Sequence, residues 1–190
     1  MRKISVLIAF LGSFCLLSAQ TSVDYPVDLE RSKLEWDAQK VVGGHVGYVN
    51  LKDGAVKLNG DQLEGGSFVI DMTSLVCTDT ERVTAHLKNE DFFDVEQFPN
   101  AIFVITKVEN ANPKTPVITG RLTIKGITKE LSFPAAVNVS GNAMSATATV
   151  KVNRLDYDIR YRSSRFFADL GNRAIEDEFT IKINLVAQNR

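Results

Sequence analysis

Few residues in this 190-residue chain have side chains suited to catalysis or metal binding. It contains two histidines, His45 and His86, and two cysteines, Cys15 and Cys77. The histidines are not spaced as a metal-binding pair, and the chain has neither a Gly-x-Ser-x-Gly elbow nor a glycine-rich phosphate loop. The sequence therefore predicts a protein that is not an enzyme, with no catalytic residues, no metal site and no conventional cofactor.

Individual roles follow from the local sequence. His45 lies in a glycine-rich segment, residues 43–47, where glycines permit close approach of a ligand, so it is a candidate binding residue. His86 lies on a predicted helix, and we expect a solvated or capping side chain. Cys77 follows an apolar segment, which indicates a small buried hydrophobic residue and not a reactive thiol.

The N-terminal segment is typical of a secretory signal. Arg2 and Lys3 precede an apolar run over residues 6–17, which is followed by Ser18-Ala19-Gln20. The run of about a dozen residues is shorter than the roughly 20 needed to cross a bilayer. We therefore expect residues 1–20 to be cleaved, a periplasmic or secreted location, and no membrane span in the mature chain.

The amino-acid composition limits the partners and the domain organisation that the chain can have. The formal net charge is −1 and basic residues are scattered along the chain, which argues against a nucleic-acid partner. Loss of the signal removes Cys15 and leaves one cysteine, so no internal disulfide is expected. Residues 21–190 are long enough to form one domain with its own core, and a homodimer remains open.

From Ser32 onward, apolar and polar residues alternate with a period of two, which predicts half-buried β-strands. The clearest sets are Leu34, Trp36, Ala38 and Phe68, Ile70, Met72. Further runs cover residues 44–51, 55–58, 101–108, 117–124, 130–139, 143–152 and 179–186. Turn signals at residues 52–54, 59–61 and 140–142 predict tight hairpins, and strands joined in this way are antiparallel.

Three segments break the alternation. Residues 80–90 predict a short helix with Val83 and Leu87 on one face and Asp79 or Thr80 as its cap. Residues 91–99 contain three phenylalanines and are too irregular for a long strand. Residues 155–172 combine aromatic residues with three arginines.

An antiparallel meander of this length folds as a two-sheet sandwich or a closed barrel, and only closure removes both sheet edges. Small residues at inward-type positions on two strands indicate internal space; they include Gly120, Ala146 and Ala148. A barrel of about eight strands is wide enough to enclose one small ligand. We therefore predict an all-β antiparallel barrel with a short helix in a connecting segment.

Two ordered motifs carry a resemblance to a known family. Residues 91–103 read DFFDVEQFPNAIF, and residues 119–129 read TGRLTIKGITK. Together with residues 32–36, the segment around His45 and residues 71–75, they resemble the YceI-like polyisoprenoid-binding family over nearly all of residues 21–190. The resemblance implies a lipocalin-like barrel, a periplasmic location and an apolar tunnel for an isoprenoid or similar amphiphile. The chain departs from the family pattern around His45 and in residues 160–167.

On this interpretation the chain is a lipid-binding protein that holds an isoprenoid-like or fatty-acyl chain for carriage or storage. An anionic head group would be met by Arg160, Arg162 or Arg165, but we favour the interpretation that these arginines are solvated loop charges. The alternative is a stress-related periplasmic scaffold without a stoichiometric lipid. The predicted ligand-binding residues are Trp36, His45, Phe68, Ile70, Phe92, Phe93, Phe103, Ile105, Leu122, Ile124, Leu131 and Phe133.

Overall fold

The computed structural model describes residues 21–110 and 112–189, and the segment predicted to be a signal lies outside this range. One α-helix, α1, spans Glu81–Lys88, and short 3-10 helices span Arg154–Tyr157 and Gly171–Arg173. The strands are β1 (Val23–Pro26), β2 (Lys33–Lys40), β3 (Gly44–Asn59), β4 (Gln62–Cys77), β5 (Asn100–Glu109), β6 (Val117–Ile124), β7 (Ile127–Ser140), β8 (Ala143–Asn153) and β9 (Ile175–Gln188).

The strands form a closed barrel. From β2 to β9 each strand pairs antiparallel with the next, and β9 pairs back with β2. The short strand β1 shares one edge of β3 with β2: β2 places Leu34 opposite Val49, whereas β1 places Val23 opposite Leu58. A bridge from Val27 to Ala187 joins this part of the chain to β9. The predicted all-β antiparallel barrel of about eight strands is confirmed.

Alternation along the strands determines which side chains enter the barrel. On β2, Leu34 and Trp36 are buried, while the alternate residues Lys33 and Glu35 are exposed. Successive side chains of a strand point to opposite faces, so this pattern places the apolar residues inside. The core is accordingly one cluster contributed by strands from all sides of the barrel.

One predicted hairpin is wrong. Residues 52–54 were expected to turn between two strands, but β3 continues through them as one strand of 16 residues. Its register with β4 shifts between Leu51 and Asp53, and Gly54 is not among the glycines with positive φ. A Cβ on Gly54 would lie 3.0 Å from the Phe68 ring. Gly54 thus serves close packing at a bulge, which bends the long strand around the barrel.

The other two turn predictions are confirmed. Gly60 connects β3 to β4 with φ of 59°, and Gly141 connects β7 to β8 with φ of 61°. These left-handed conformations suit glycine because it has no Cβ. The two turns lie at the same end of the barrel.

The two ends of the barrel differ. The packed end contains these turns and is filled by Val56, Leu58, Leu63 and Met144, each at most 2 % exposed. The helical end, opposite, carries α1 and the 158–174 loop. Within residues 21–110 and 112–189, no helix has the length and apolar character needed to cross a bilayer.

The predicted helix is confirmed with shorter bounds. Thr80 is the N-cap, and its hydroxyl accepts a hydrogen bond from the backbone N–H of Arg82 at 3.3 Å. Val83 and Leu87 pack against the barrel core, as their spacing predicts.

Candidate functional site

The barrel contains an apolar cavity of about 210 Å³. It lies on the inner face of the strands, where alternation directs the buried side chains. Eleven of the twelve residues predicted to contact a ligand line it, and His45 is the exception. The eleven are Trp36, Phe68, Ile70, Phe92, Phe93, Phe103, Ile105, Leu122, Ile124, Leu131 and Phe133.

The cavity is elongated. On β4 its lining extends from Leu63 near the packed end to Leu75 near the helical end. The lining therefore runs along β4 from one end of the barrel to the other. This shape suits a chain better than a compact molecule.

Small residues on β8 leave part of this space open. Ala146, Ala148 and Val150 line the cavity from alternate positions of the strand. The sequence pattern placed these three residues on the inner face, and the structure agrees. Larger side chains at the two alanines would occupy the cavity themselves.

Aromatic rings form a continuous group along one side. The rings of Phe68 and Phe103 stack with centroids 6.3 Å apart, and those of Phe103 and Phe133 are tilted at 5.8 Å. Gly120 on β6 makes room for this group, since a Cβ there would lie 2.3 Å from Cζ of Phe103. A glycine is required at this crossing by close approach, not by its φ.

Trp36 is the only tryptophan of the chain and lines the cavity from β2. Its indole N–H donates to the Val76 carbonyl at 3.2 Å, which fixes the ring. Gly47 lies against this ring, because a Cβ there would come 2.5 Å from Trp36 Cζ2. Trp36 is therefore a rigid reporter inside the barrel.

The helical end is covered by an aromatic group. Phe92 is buried, and its ring lies 5.0 Å from His86 and 5.3 Å from Tyr161. Phe93 meets Phe179 at 6.4 Å. The Nε2–H group of His86 donates to the Asp91 carboxylate across 3.0 Å, so His86 packs within this group and is only partly solvated.

Arg154 is a lining residue that the sequence analysis missed. Its side chain is buried, and its guanidinium donates to the carbonyls of Glu176, Ile159, Tyr161 and Ile175 at 2.9–3.0 Å. These bonds connect the end of β8 to the start of β9 and to the loop between them. Five N–H donors in one plane permit this set, whereas lysine offers a single ammonium group.

The charge of Arg154 is balanced within the protein. Its Nη2 lies 3.5 Å from the Asp177 carboxylate. Burial lowers the pKa of the Arg154 guanidinium, and the Asp177 charge acts in the opposite direction. Because its donors are already engaged, Arg154 offers little to a ligand head group. Its arginine type alone gave no sequence signal that separates it from the exposed arginines nearby.

The three loop arginines lie outside the cavity lining. Arg160 contacts the Asp158 carboxylate at 2.7 Å and lies over the Phe166 ring, with 4.8 Å from Cζ to the centroid. Arg165 lies 3.3 Å from Asp177, and Arg162 lies over the Tyr161 ring. The structure thus gives these side chains intramolecular partners at the surface of the helical end.

His45 has different neighbours from those expected. It is paired across the sheet with Ala38, a lining residue, but its ring faces Asp79, with 3.2 Å from Nδ1 to Oδ2. On the other side Nε2 lies 3.4 Å from Nζ of Lys40. The glycines around it correctly indicated close packing, since Gly47 is buried against Trp36 and β4.

Further lining residues come from segments that the analysis treated as irregular or did not assign to the cavity. The alternation of apolar residues on β9 was sufficient to identify the lining residues of that strand. The others depend on how the loop between β8 and β9, and the helix α1, pack against the barrel. The residues are Leu87, Ile159, Ile175, Phe179, Ile181, Ile183 and Leu185.

Comparisons with known proteins agree with the architecture. The YceI-like domain family matches residues 25–187. A UPF0312 protein of Pseudomonas putida is 29% identical over 169 residues, which cover 79% of this chain and 84% of the relative. A UPF0312 protein of Pseudomonas syringae is 27% identical over 176 residues, covering 84% and 89%.

Solved structures show the same fold. BcnA of Burkholderia cenocepacia superposes with a TM-score of 0.72 at 23% identity, covering 85% of this chain and 99% of BcnA. A polyisoprenoid binding domain from Saccharophagus degradans, described as implicated in plant cell wall breakdown, gives a TM-score of 0.64 at 12% identity and covers 87% and 98%.

Proposed function

The chain belongs to the YceI-like domain family, and we propose that it holds one long apolar chain, isoprenoid-like or fatty-acyl, inside its barrel for carriage or storage. The observation that carries the proposal is the elongated cavity whose lining is almost entirely apolar. The relative described as a polyisoprenoid binding domain shares this fold. Binding, and not catalysis, is the proposed role.

The energetics favour a flexible hydrocarbon. Each buried methylene contributes roughly 0.8 kcal/mol, so about ten of them offset a substantial part of the cost of association. Among the described residues, the polar residues of the lining are Thr147, Arg154 and Glu176, and Thr147 and Glu176 are exposed. Since Arg154 is engaged by carbonyls, the tail is proposed to lie in the barrel with its head group outside.

The difference between the two ends of the barrel indicates where the ligand enters. The packed end is filled by side chains that are almost fully buried, whereas the helical end is covered by α1, Phe92 and Phe93. We propose that the ligand enters at the helical end by displacement of these covering segments. A periplasmic or secreted location after cleavage of residues 1–20 belongs to the same proposal.

Solvent extraction of the purified protein followed by mass spectrometry tests the function. We expect a lipid in stoichiometric amount, or uptake of added farnesol or palmitate that changes the fluorescence of Trp36. Absence of both lipid and uptake would contradict carriage and favour the scaffold alternative.

A matched pair of variants locates the binding site. Ala146→Phe places a ring in the cavity and is expected to weaken palmitate or farnesol binding at least about tenfold. Thr149→Phe adds the same ring at an exposed position of the same strand and is expected to bind normally. Equal binding by the two variants would place the ligand elsewhere.

A further inference from the structure

His45, Cys77 and Asp79 come together at the helical end of the barrel. Gly47 of β3 is paired with Cys77 of β4, and the backbone N–H of Thr78 donates to the Val46 carbonyl at 3.0 Å. The chain leaving β4 therefore runs back along the start of β3. As a result, the imidazole, the thiol and the carboxylate each place one ligand atom within 4.8 Å of the other two.

The three side chains differ in exposure. Cys77 is buried at 4 % exposure, the His45 side chain is 27 % exposed and that of Asp79 is 45 % exposed. An ion can thus reach the carboxylate and imidazole from solvent, while the sulfur lies beneath them. Cys77 is also the only cysteine in residues 21–190, so no second thiol competes to form an internal disulfide.

The geometry is close to that of a tetrahedral metal site. Bonds of about 2.0–2.3 Å to nitrogen, oxygen and sulfur place neighbouring ligand atoms about 3.4–3.6 Å apart. The separation of His45 Nδ1 and Asp79 Oδ2 is already 3.2 Å. The other two separations are at most 4.8 Å, so binding requires each to shorten by no more than about 1.4 Å. We propose that His45, Cys77 and Asp79 bind one Zn²⁺ or similar divalent transition-metal ion.

The donor set determines the class of ion. A thiolate, an imidazole and a carboxylate together suit a borderline-soft ion, whereas Mg²⁺ and Ca²⁺ prefer oxygen ligands. Three protein ligands leave one tetrahedral position for water. The site lies beside the cavity, because His45 is paired with the lining residue Ala38.

Lys40 lies next to one of the proposed metal ligands and opposes binding of the ion. Its Nζ lies 3.4 Å from Nε2 of His45. Metal binding through Nδ1 leaves a proton on Nε2, and this N–H faces the lysine ammonium. The Lys40 side chain must therefore move when the ion binds, so Lys40→Met is expected to tighten binding severalfold.

The test is a titration of the purified, chelator-treated full-length protein with Co²⁺ in the presence of a phosphine reductant. We expect one Co²⁺ per chain and a thiolate-to-cobalt absorption band that Zn²⁺ removes by displacement. Cys77→Ser should abolish the band and weaken Zn²⁺ binding more than about 100-fold, which exceeds the usual effect of losing a residue that only hydrogen-bonds to a metal ligand. His45→Ala and Asp79→Asn should weaken binding as well.

His86→Ala is the matched control. His86 also faces a carboxylate, Asp91, at 3.0 Å, but Cys77 is not part of that pair. The control variant should bind Co²⁺ like the unaltered chain. Thermal unfolding of each variant identifies any that fail to fold, and Asp79→Asn alters an exposed side chain. The proposal is overturned if the unaltered chain shows no thiolate band, or if Cys77→Ser binds Zn²⁺ with unchanged affinity.

Discussion

Arg154 shows how one side chain can organise an irregular loop. Its guanidinium joins four carbonyls from two parts of the chain, the loop after β8 and the start of β9, and faces Asp177. Backbone carbonyls buried without a donor are costly, so the loop conformation depends on these bonds. The residue supports one wall of the cavity and is expected to act on stability more than on ligand affinity.

Replacement of this side chain gives the first prediction. Arg154→Met keeps much of the apolar stem but leaves the four carbonyls without their donors and removes a positive charge from beside Asp177. The free energy of unfolding should fall by about 3–5 kcal/mol, measured by denaturant titration. Arg173→Met, the same change at an exposed arginine, should alter it by no more than about 0.5 kcal/mol. A loss below about 1 kcal/mol at Arg154 would show that water replaces its bonds.

Tyr157, three residues further on, provides a pH-dependent prediction. Burial raises the pKa of the Tyr157 phenol to about 12, and the Asp156 charge adds to the increase. An unfolded tyrosine titrates near pH 10, so between about pH 10 and 12 the unfolded chain loses a proton that the folded chain retains. The phenol therefore contributes in full to the free energy of unfolding below about pH 10, and this contribution is lost as the pH rises through about 12.

The measurement is the free energy of unfolding against pH for the unaltered chain and for Tyr157→Phe. The curve of the variant should be flatter over that interval, because the titrating phenol is absent. Parallel curves would mean that Tyr157 ionises equally in both states.

Some residue contacts could be predicted from the sequence and others could not. Nine of the eleven predicted cavity residues lie on strands and face inward because alternation on a strand determines direction, whereas Phe92 and Phe93 lie between α1 and β5. The contacts of Arg154 and of His45 depend instead on segments that are distant in the chain; His45 and Cys77, for example, are 32 positions apart. No local pattern records such contacts, so neither the carbonyl cluster nor the metal-ligating group could be predicted.

At the scale of elements, the long strands are bent by bulges and by glycines that permit close contact. β3 was predicted as two short strands because Asp53-Gly54 is a common turn pair. The register shift there shows that the pair bends a continuous strand instead. An Asp-Gly pair occurs both in tight turns and in β-bulges. Which of the two forms depends on the pairing with the neighbouring strand. By contrast, the Gly60 and Gly141 turns were predictable because both neighbouring runs were strong.

Gly120 on β6 provides a prediction at this scale. The Phe103 ring of β5 lies where the Cβ of an alanine would be, 2.3 Å from its Cζ. Gly120→Ala should lower the free energy of unfolding by about 1–3 kcal/mol through overpacking, as measured by denaturant titration.

Gly65 on β4 is the matched control. A Cβ at this position meets no atom within 4 Å, and its φ is not positive. Gly65→Ala should leave stability unchanged or raise it by up to about 1 kcal/mol. Similar losses in both variants would show that strand flexibility, and not the Phe103 contact, requires the glycines.

At the scale of the molecule, closure of the barrel leaves a cavity that only an apolar guest would fill. Filling it adds contacts to the folded chain that the unfolded chain lacks. Ligand binding and folding are therefore linked through mass action. The fold class was predictable because alternation, hairpin turns and length all favour the same barrel.

The linked prediction concerns palmitate. The lipid-free chain at a free palmitate concentration of about 100 times Kd should gain about 2.7 kcal/mol in its free energy of unfolding. Thermal unfolding with increasing palmitate would show a rising midpoint. Ala146→Phe should remove most of this increase, and Thr149→Phe should keep it. A midpoint that does not change with palmitate would contradict internal binding.

The position of β1 has a practical consequence. Val23 at its start is paired with Leu58, and Gln188 at the end of β9 is paired with Ala143, so both lie at the packed end. A peptide tether attached before β1 or after β9 leaves the barrel opposite to α1. Immobilisation on a sensor surface through either tether would therefore hold every molecule with its helical end facing the solution.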